Sequence, residues 1–310
     1  MKPDRIVIVD WSASAKPSPA RPSADAIWIG VADVAGGTIT SSYHRTRADA
    51  FATLQTMVQQ ALHDNQRLLI GADFPFAYPA GFAAALTGAR RALALWDWLA
   101  RHVEDAPDNA NNRFALADAI NASLPGTGPF WGRPAHLTLP HLPDKGRARH
   151  GHGLAERRVV ERLVPSAQTC WKLYTTGSVG SQALLGIPML ARLRSTFAGQ
   201  VAVWPFEPWQ KAPVVLAEVY PSLLASQVRA LTGPVPATKS GWPIKDAVQV
   251  RLLAGALAQM VRDGRLASLL DPPAAPHILT EEGWILGAGH EAGLQTAAAA
   301  IGPAALPANP

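Results

Sequence analysis

"VIVDWSASAKP" (residues 7–17) sets the first constraint on the fold. Its run of β-branched apolar residues, Val7-Ile8-Val9, reads as a buried strand. The strand ends in a carboxylate, Asp10, and leads into Trp11-Ser12-Ala13-Ser14. Asp and Ser often end strands because their side chains bond nearby backbone amides. A carboxylate there also suits a metal or phosphate site, since strand ends of an open α/β sheet converge on a ligand crevice. The same pattern recurs in "RLLIGADFPF" (67–76), apolar throughout and therefore central, which ends in Asp73.

Working outward, residues 25–34 and 38–45 read as two more strands, turned at Gly36-Gly37, that extend the first into an antiparallel meander. Residues 47–64 form a helix, with Phe51, Leu54, Val58, Ala61 and Leu62 on one face. From about 80 to 210, short helical patterns alternate with Pro/Gly-rich segments, which predicts a large helical and loop-rich insertion. Residues 213–221 return to strand, 222–231 to helix, and 244–264 to a long helix with Asp246 at its N-terminal end. Residues 278–287 are short and semi-apolar, and 288–310 read as a flexible Ala/Pro-rich tail. The expectation is one α/β domain over 1–287, a mixed central sheet flanked by helices.

The chain has 310 residues, 48% hydrophobic and 16% charged, so it can bury a sizeable core. Its 28 basic and 23 acidic residues leave a net charge of +5, compatible with a polyanionic partner. The one cysteine, Cys170, excludes an internal disulfide and argues against a cysteine zinc site. No apolar run is long enough to span a membrane and the N-terminus is no signal peptide, so the expected location is cytoplasmic. The oligomeric state is not legible.

Four acids fall where apolar residues are expected: Asp10, Asp73, Glu218 within "VVLAEVY", and Asp246. Clustering buried carboxylates is costly unless a cation compensates, and hard cations take such oxygen ligands. Each acid also has a plainer reading. Asp10 and Asp73 would cap turns, Asp246 would favour a helix N-terminus, and Glu218 would pair with a lysine or arginine.

In combination, "IVDWSAS", "GADFPFAYPAGF", "AEVYPSL", "IKDAVQVRLLAGALA" and "EEGWILG" resemble domain-of-unknown-function family 429, described as predicted nucleases of the ribonuclease-H-like fold. These blocks run from residue 5 to about 287. The resemblance implies a Mg²⁺ or Mn²⁺ site and phosphodiester hydrolysis, with Asp10 bridging metals, Asp73 binding one and Asp246 completing the set. Glu218 departs from the pattern, because it falls on a strand where such nucleases keep a helical acid.

For an anionic substrate, either nucleic acid or a small phosphoester, Ser12, Ser14, Lys16, Arg133, Lys172 and Lys239 are candidate contacts. Ser12 and Ser14 serve equally well as turn residues. The basic run "KGRARHGHGLAERRVVER" (145–162) either grips phosphates, with Trp131 and Trp171 stacking bases, or is a solvated face. Two other functions compete with the nuclease. One is an ATP-binding phosphotransferase of the related actin/sugar-kinase fold; the other is a non-catalytic polyanion-binding protein.

Overall fold

A computed structural model describes residues 2–232 and 244–301. Three strands open the chain: β1 (Arg5–Asp10), β2 (Ile27–Asp33) and β3 (Ile39–His44). Helix α1 (Arg47–His63) then leads to β4 (Leu68–Ala72). The expected insertion holds α2 (Phe82–Thr87), α3 (Ala92–His102), α4 (Arg113–Ser123), α5 (Val159–Leu163) and α6 (Val179–Thr196). After it come β5 (Val201–Val203), β6 (Val214–Glu218), α7 (Ala225–Thr232), α8 (Lys245–Arg262), α9 (Leu266–Leu269) and α10 (Glu291–Ala299).

The six strands form one sheet in the order β3-β2-β1-β4-β6-β5. β1 to β3 pair antiparallel, as a hairpin meander must, while β4, β6 and β5 run parallel to β1. The parallel strands need crossovers; helices supply those from β1 to β4 and from β4 to β5, and the helix-free segment 204–213 joins β5 to β6. The fold is thus the α/β mixed sheet expected, with its helical region in the middle. Strand β5 escaped the sequence reading because three residues carry too little periodicity to tell a strand from a loop.

Side-chain alternation gives the sheet two cores. Ile6, Ile8, Trp28, Leu69 and Ala217 face α8, whereas Val7, Val9, Ile70, Ala72 and Leu216 face the side of α1, α3 and α6. α8 lies flush on the sheet because β2 carries Gly30 beneath it. A Cβ at Gly30 would stand 2.6 Å from both the carbonyl carbon and oxygen of Val250. Backbone cannot yield as a flexible side chain can. Gly30→Ala is therefore expected to destabilise by about 1–3 kcal/mol in urea unfolding, and an unchanged midpoint would mean that α8 rides higher on the sheet.

Polar ties fix the joints between layers. His44 links Ser42 (Oγ to Nε2, 2.8 Å) to Asp49 (Nδ1 to Oδ2, 3.0 Å), which fastens β3 to the first turn of α1. One expectation fails at the C-terminal end. Residues 291–299 form α10 and bury Leu294, Ala297 and Ala298 against the α8 core, so the reading of 288–310 as a flexible tail does not hold up to residue 301. An alanine-rich helix needs few large residues to dock once a complementary face exists. Residues 302–310 lie outside the described residues, as does Lys239. Among the described residues no helix is long and apolar enough to cross a membrane.

Candidate carboxylate site

Asp10 and Asp73 meet through strand register. β1 and β4 pair parallel with Val9 opposite Ala72, and the Asp73 amide donates to the Val9 carbonyl at 2.9 Å. The two acids therefore stand side by side where neighbouring strands end, and alternation sends both toward the face that α8 covers. Asp246 lies in the first turn of α8, at the same corner. A fourth acid, Asp25, joins them. Its amide donates to Asp246 Oδ2 at 2.7 Å and its carbonyl accepts from Ser12 Oγ at 3.1 Å. Sequence reasoning passed over Asp25 because it read as the first residue of the second strand, where an acid ends a strand at the surface. The usable signal was the antiparallel register that sets the start of β2 beside the end of β1.

The carboxyls strain against one another. Burial raises Asp10 well above the usual carboxylate range, and the charges of Asp73, Asp246 and Asp25 add to the rise. Burial raises Asp73 to about 7, helped by Glu218 and Asp246. Asp246 is also raised by burial, against the lowering effect of the Asp25 amide. Lys245 is the cation that opposes all three shifts. A lysine in the first turn of a helix opposes the macrodipole, so its place there is better explained by the acids it faces. Among the described residues, no three His, Cys, Asp or Glu side chains already stand close enough to hold one metal ion.

Glu218 is not part of this cluster. It pairs in register with Ala72, so alternation turns it to the opposite face from Asp10 and Asp73. There it meets buried Arg158 in a fork, Nη2 to Oε1 at 2.6 Å and Nη1 to Oε2 at 2.8 Å, and accepts the Phe76 amide at 2.9 Å. Burial still raises its carboxyl, with the guanidinium pulling the other way. The pairing reading holds for Glu218, which is committed to Arg158 while its charge still reaches Asp73. A narrow crevice of about 20 Å³ is lined by both Asp73 and Glu218, together with Pro75, Arg158, Gln168 and Tyr220.

No protein-family model, curated protein or solved structure matches the chain. The site must therefore be read from its own geometry.

Arg158 is the residue that sequence reasoning most clearly missed. Its Nε reaches Glu161 at 2.8 Å, and its Nη1 also donates to the Glu282 carbonyl at 2.9 Å. Glu282 in turn accepts the amides of Ala80 and Val159, and Glu281 accepts that of Gly81. The "EEGWILG" acids thus order the loop after β4. Two more arginines of the basic run turn inward as well. Arg149 binds the Gly146 and Pro129 carbonyls and pairs with Glu156, and Arg157 binds the carbonyls of Glu161 and Ala167. Lys145, Arg147 and Arg162 stay exposed.

The loop after Asp10 is equally well tied. Ser12 Oγ accepts the Ser14 amide at 3.3 Å, and Ser14 Oγ both donates to the Lys16 carbonyl and accepts its amide. Both hydroxyls are turn-makers, which is the plainer of their two readings. Arg47, buried at the start of α1, donates to the Ser12 and Ser14 carbonyls and forks onto Asp105. The Lys16 side chain is exposed beside this clamp. Trp11 packs against Phe74 and places an aromatic floor under the strand ends. Arg133 is spent on the carbonyls of Leu142 and Leu137, so it orders its own loop rather than reaching toward the acids. Lys172 Nζ binds the Thr176 carbonyl at 2.6 Å and stands over the Trp131 ring. Trp171 is fully buried among Tyr78, Phe82 and Phe130 and presents no face for a base.

Proposed function

We propose that the protein is a divalent-metal-dependent phosphodiesterase of nuclease type, in line with its resemblance to family 429. One observation carries this reading. Two adjacent parallel strand ends and one helix N-terminus direct Asp10, Asp73 and Asp246 to a single corner, where burial raises all three carboxyls, the charges of Asp73 and Asp246 add to the rise at Asp10, and that of Asp246 adds to the rise at Asp73. Repulsion of that kind persists in a fold when something cationic relieves it.

The donors are all carboxylate oxygens, which suits Mg²⁺ or Mn²⁺. Asp10 and Asp73 would hold the ion, since hydrated Mg²⁺ needs only one or two direct carboxylates, with Asp246 beside them at the same corner. When bound, such an ion supplies Lewis-acid polarisation of a phosphoryl oxygen and a more acidic water. The chain's own groups do the rest. Asp73, raised to about 7 by burial and its acidic neighbours, gives up its proton for the ion to bind, so the site favours the ion above neutrality. Lys245 offers a positive charge beside the acids, where phosphate charge would otherwise be repelled. Trp11 and Phe74 keep water out from below.

Cleavage of single-stranded DNA, single-stranded RNA and bis-p-nitrophenyl phosphate with Mn²⁺ or Mg²⁺ tests the proposal. Wild type should cleave at least one of them, and Asp73→Asn should lose at least about a hundredfold in rate. Equal rates in the two proteins, or no metal dependence, would overturn it.

A further inference from the structure

Beside the Asp10 loop stands an arginine without a counter-ion. Arg113 Nε donates to Ser181 Oγ at 3.0 Å, its Nη1 donates to Asn111 Oδ1 at 2.7 Å, and its guanidinium lies 4.3 Å over the Phe114 ring. All three partners are neutral. The nearby carboxylate, Asp105, is already forked onto Arg47, with contacts of 2.6 and 2.7 Å. Two arginines thus share one acid. Burial and the charge of Arg47 lower Arg113 to about 10, so it remains charged at neutral pH. Neutral hydrogen bonds that fix the plane of an uncompensated, half-buried guanidinium prepare it for a phosphate.

An exposed aromatic adjoins it. Among the described residues, Tyr174 (43% exposed) is one of two large hydrophobic side chains left in solvent. Its ring meets Phe114 edge-on at 6.3 Å. The preceding residue, Leu173, is pinned at both ends: its carbonyl accepts from Ser181 Oγ at 2.6 Å and its amide donates to Trp131 at 2.9 Å. Ser181 therefore positions the cation and the ring together. The same turn of α6 also touches the carboxylate loop, because Gln182 donates to the Trp11 carbonyl. Arg47 reaches that loop from the other side.

We propose that Arg113 and Tyr174 form a nucleotide subsite for a single-stranded nucleic acid, with the guanidinium taking a backbone phosphate and the Tyr174 ring stacking on a base. This rests on the phosphodiesterase reading and names its substrate class. A single strand is required because a duplex keeps its bases stacked on one another and offers no open face.

The test is fluorescence anisotropy of a labelled oligonucleotide, about 12 nucleotides long, in EDTA. Without metal, binding does not depend on the carboxylates. Wild type should bind in a salt-sensitive way. Arg113→Gln should weaken binding about tenfold and reduce the salt slope by about one. Tyr174→Ala should weaken it about tenfold with the slope unchanged. Inorganic phosphate should compete with the oligonucleotide more effectively on wild type than on Arg113→Gln. The Tyr174 ring is exposed, so its variant carries the test even if Arg113→Gln fails to fold. Wild-type affinity in Tyr174→Ala, or duplex of the same sequence binding as tightly as single strand, would overturn the subsite. Variant-sensitive binding with no metal-dependent cleavage would instead overturn the proposed activity and leave the subsite standing.

Discussion

Asp10→Asn should melt at a higher temperature than wild type in EDTA at pH 8, while losing metal-dependent cleavage. The sign follows from the raised carboxyls. Asp10 lies well above its ordinary value in the folded protein, and Asp73 reaches about 7. Between the unfolded value near 4 and the folded value, the native state holds protons that the unfolded chain has released. Stability therefore falls as pH rises through that window, with the Asp73 contribution lost by about 7. Asparagine keeps the shape of the protonated acid and removes the charge, which also relieves Asp73. A gain on the order of 2 kcal/mol is expected at pH 8, or a few degrees in Tm, and a smaller one at pH 5. Millimolar Mn²⁺ should raise the wild-type Tm at pH 8 and leave that of Asp10→Asn nearly unchanged. A variant less stable than wild type at pH 8 would mean that Asp10 is held by partners that favour its charge.

Arg158→Met is expected to cost more than any other single change considered. The guanidinium is fully buried and forks onto Glu218 while its Nε holds Glu161, and both acids are buried too. Removing one partner of a buried ion pair typically costs about 3–5 kcal/mol because the abandoned charge has nowhere to go. Here two acids are abandoned, and the Glu282 carbonyl loses a donor. The variant should therefore fail to accumulate as folded protein at neutral pH. Glu218→Gln in the same chain removes one of the stranded charges and should recover part of the loss. Arg158→Lys should fall between, since a lysine restores charge without the planar fork. Urea unfolding of the single and double variants measures the coupling. Additive losses would show that Arg158 and Glu218 do not act as a unit.

Most of the regular framework was legible in the sequence because every strand but β5, and the long helices α1 and α8, carry their own periodicity. The pattern "RIVIVD" buries both faces, and α8 repeats apolar residues every three or four positions. Three of the acids also betrayed themselves by ending or starting such elements. Glu218 looked equivalent, yet one position of register turns it to the other face of the sheet, and that parity is set by pairing with β4, not by local sequence. Arg158, Arg47 and Arg113 were invisible for a related reason. Each lies in or beside an irregular segment, and its importance comes from partners 33 to 124 positions away or from lacking a counter-ion. Basic residues in a loop-rich insertion read as a solvated or phosphate-gripping face. The fold instead turns Arg133, Arg149, Arg157 and Arg158 inward to satisfy carbonyls and acids.

Mn²⁺ binding to the metal-free protein tests the central claim most directly. Titration calorimetry at pH 8 should show saturable binding to wild type, at least tenfold weaker at pH 5, where Asp10 and Asp73 hold protons. Asp10→Asn should abolish it at pH 8 with the fold intact. Undiminished Mn²⁺ binding by Asp10→Asn, or none by wild type at pH 8, would contradict a metal centre at the ends of β1 and β4.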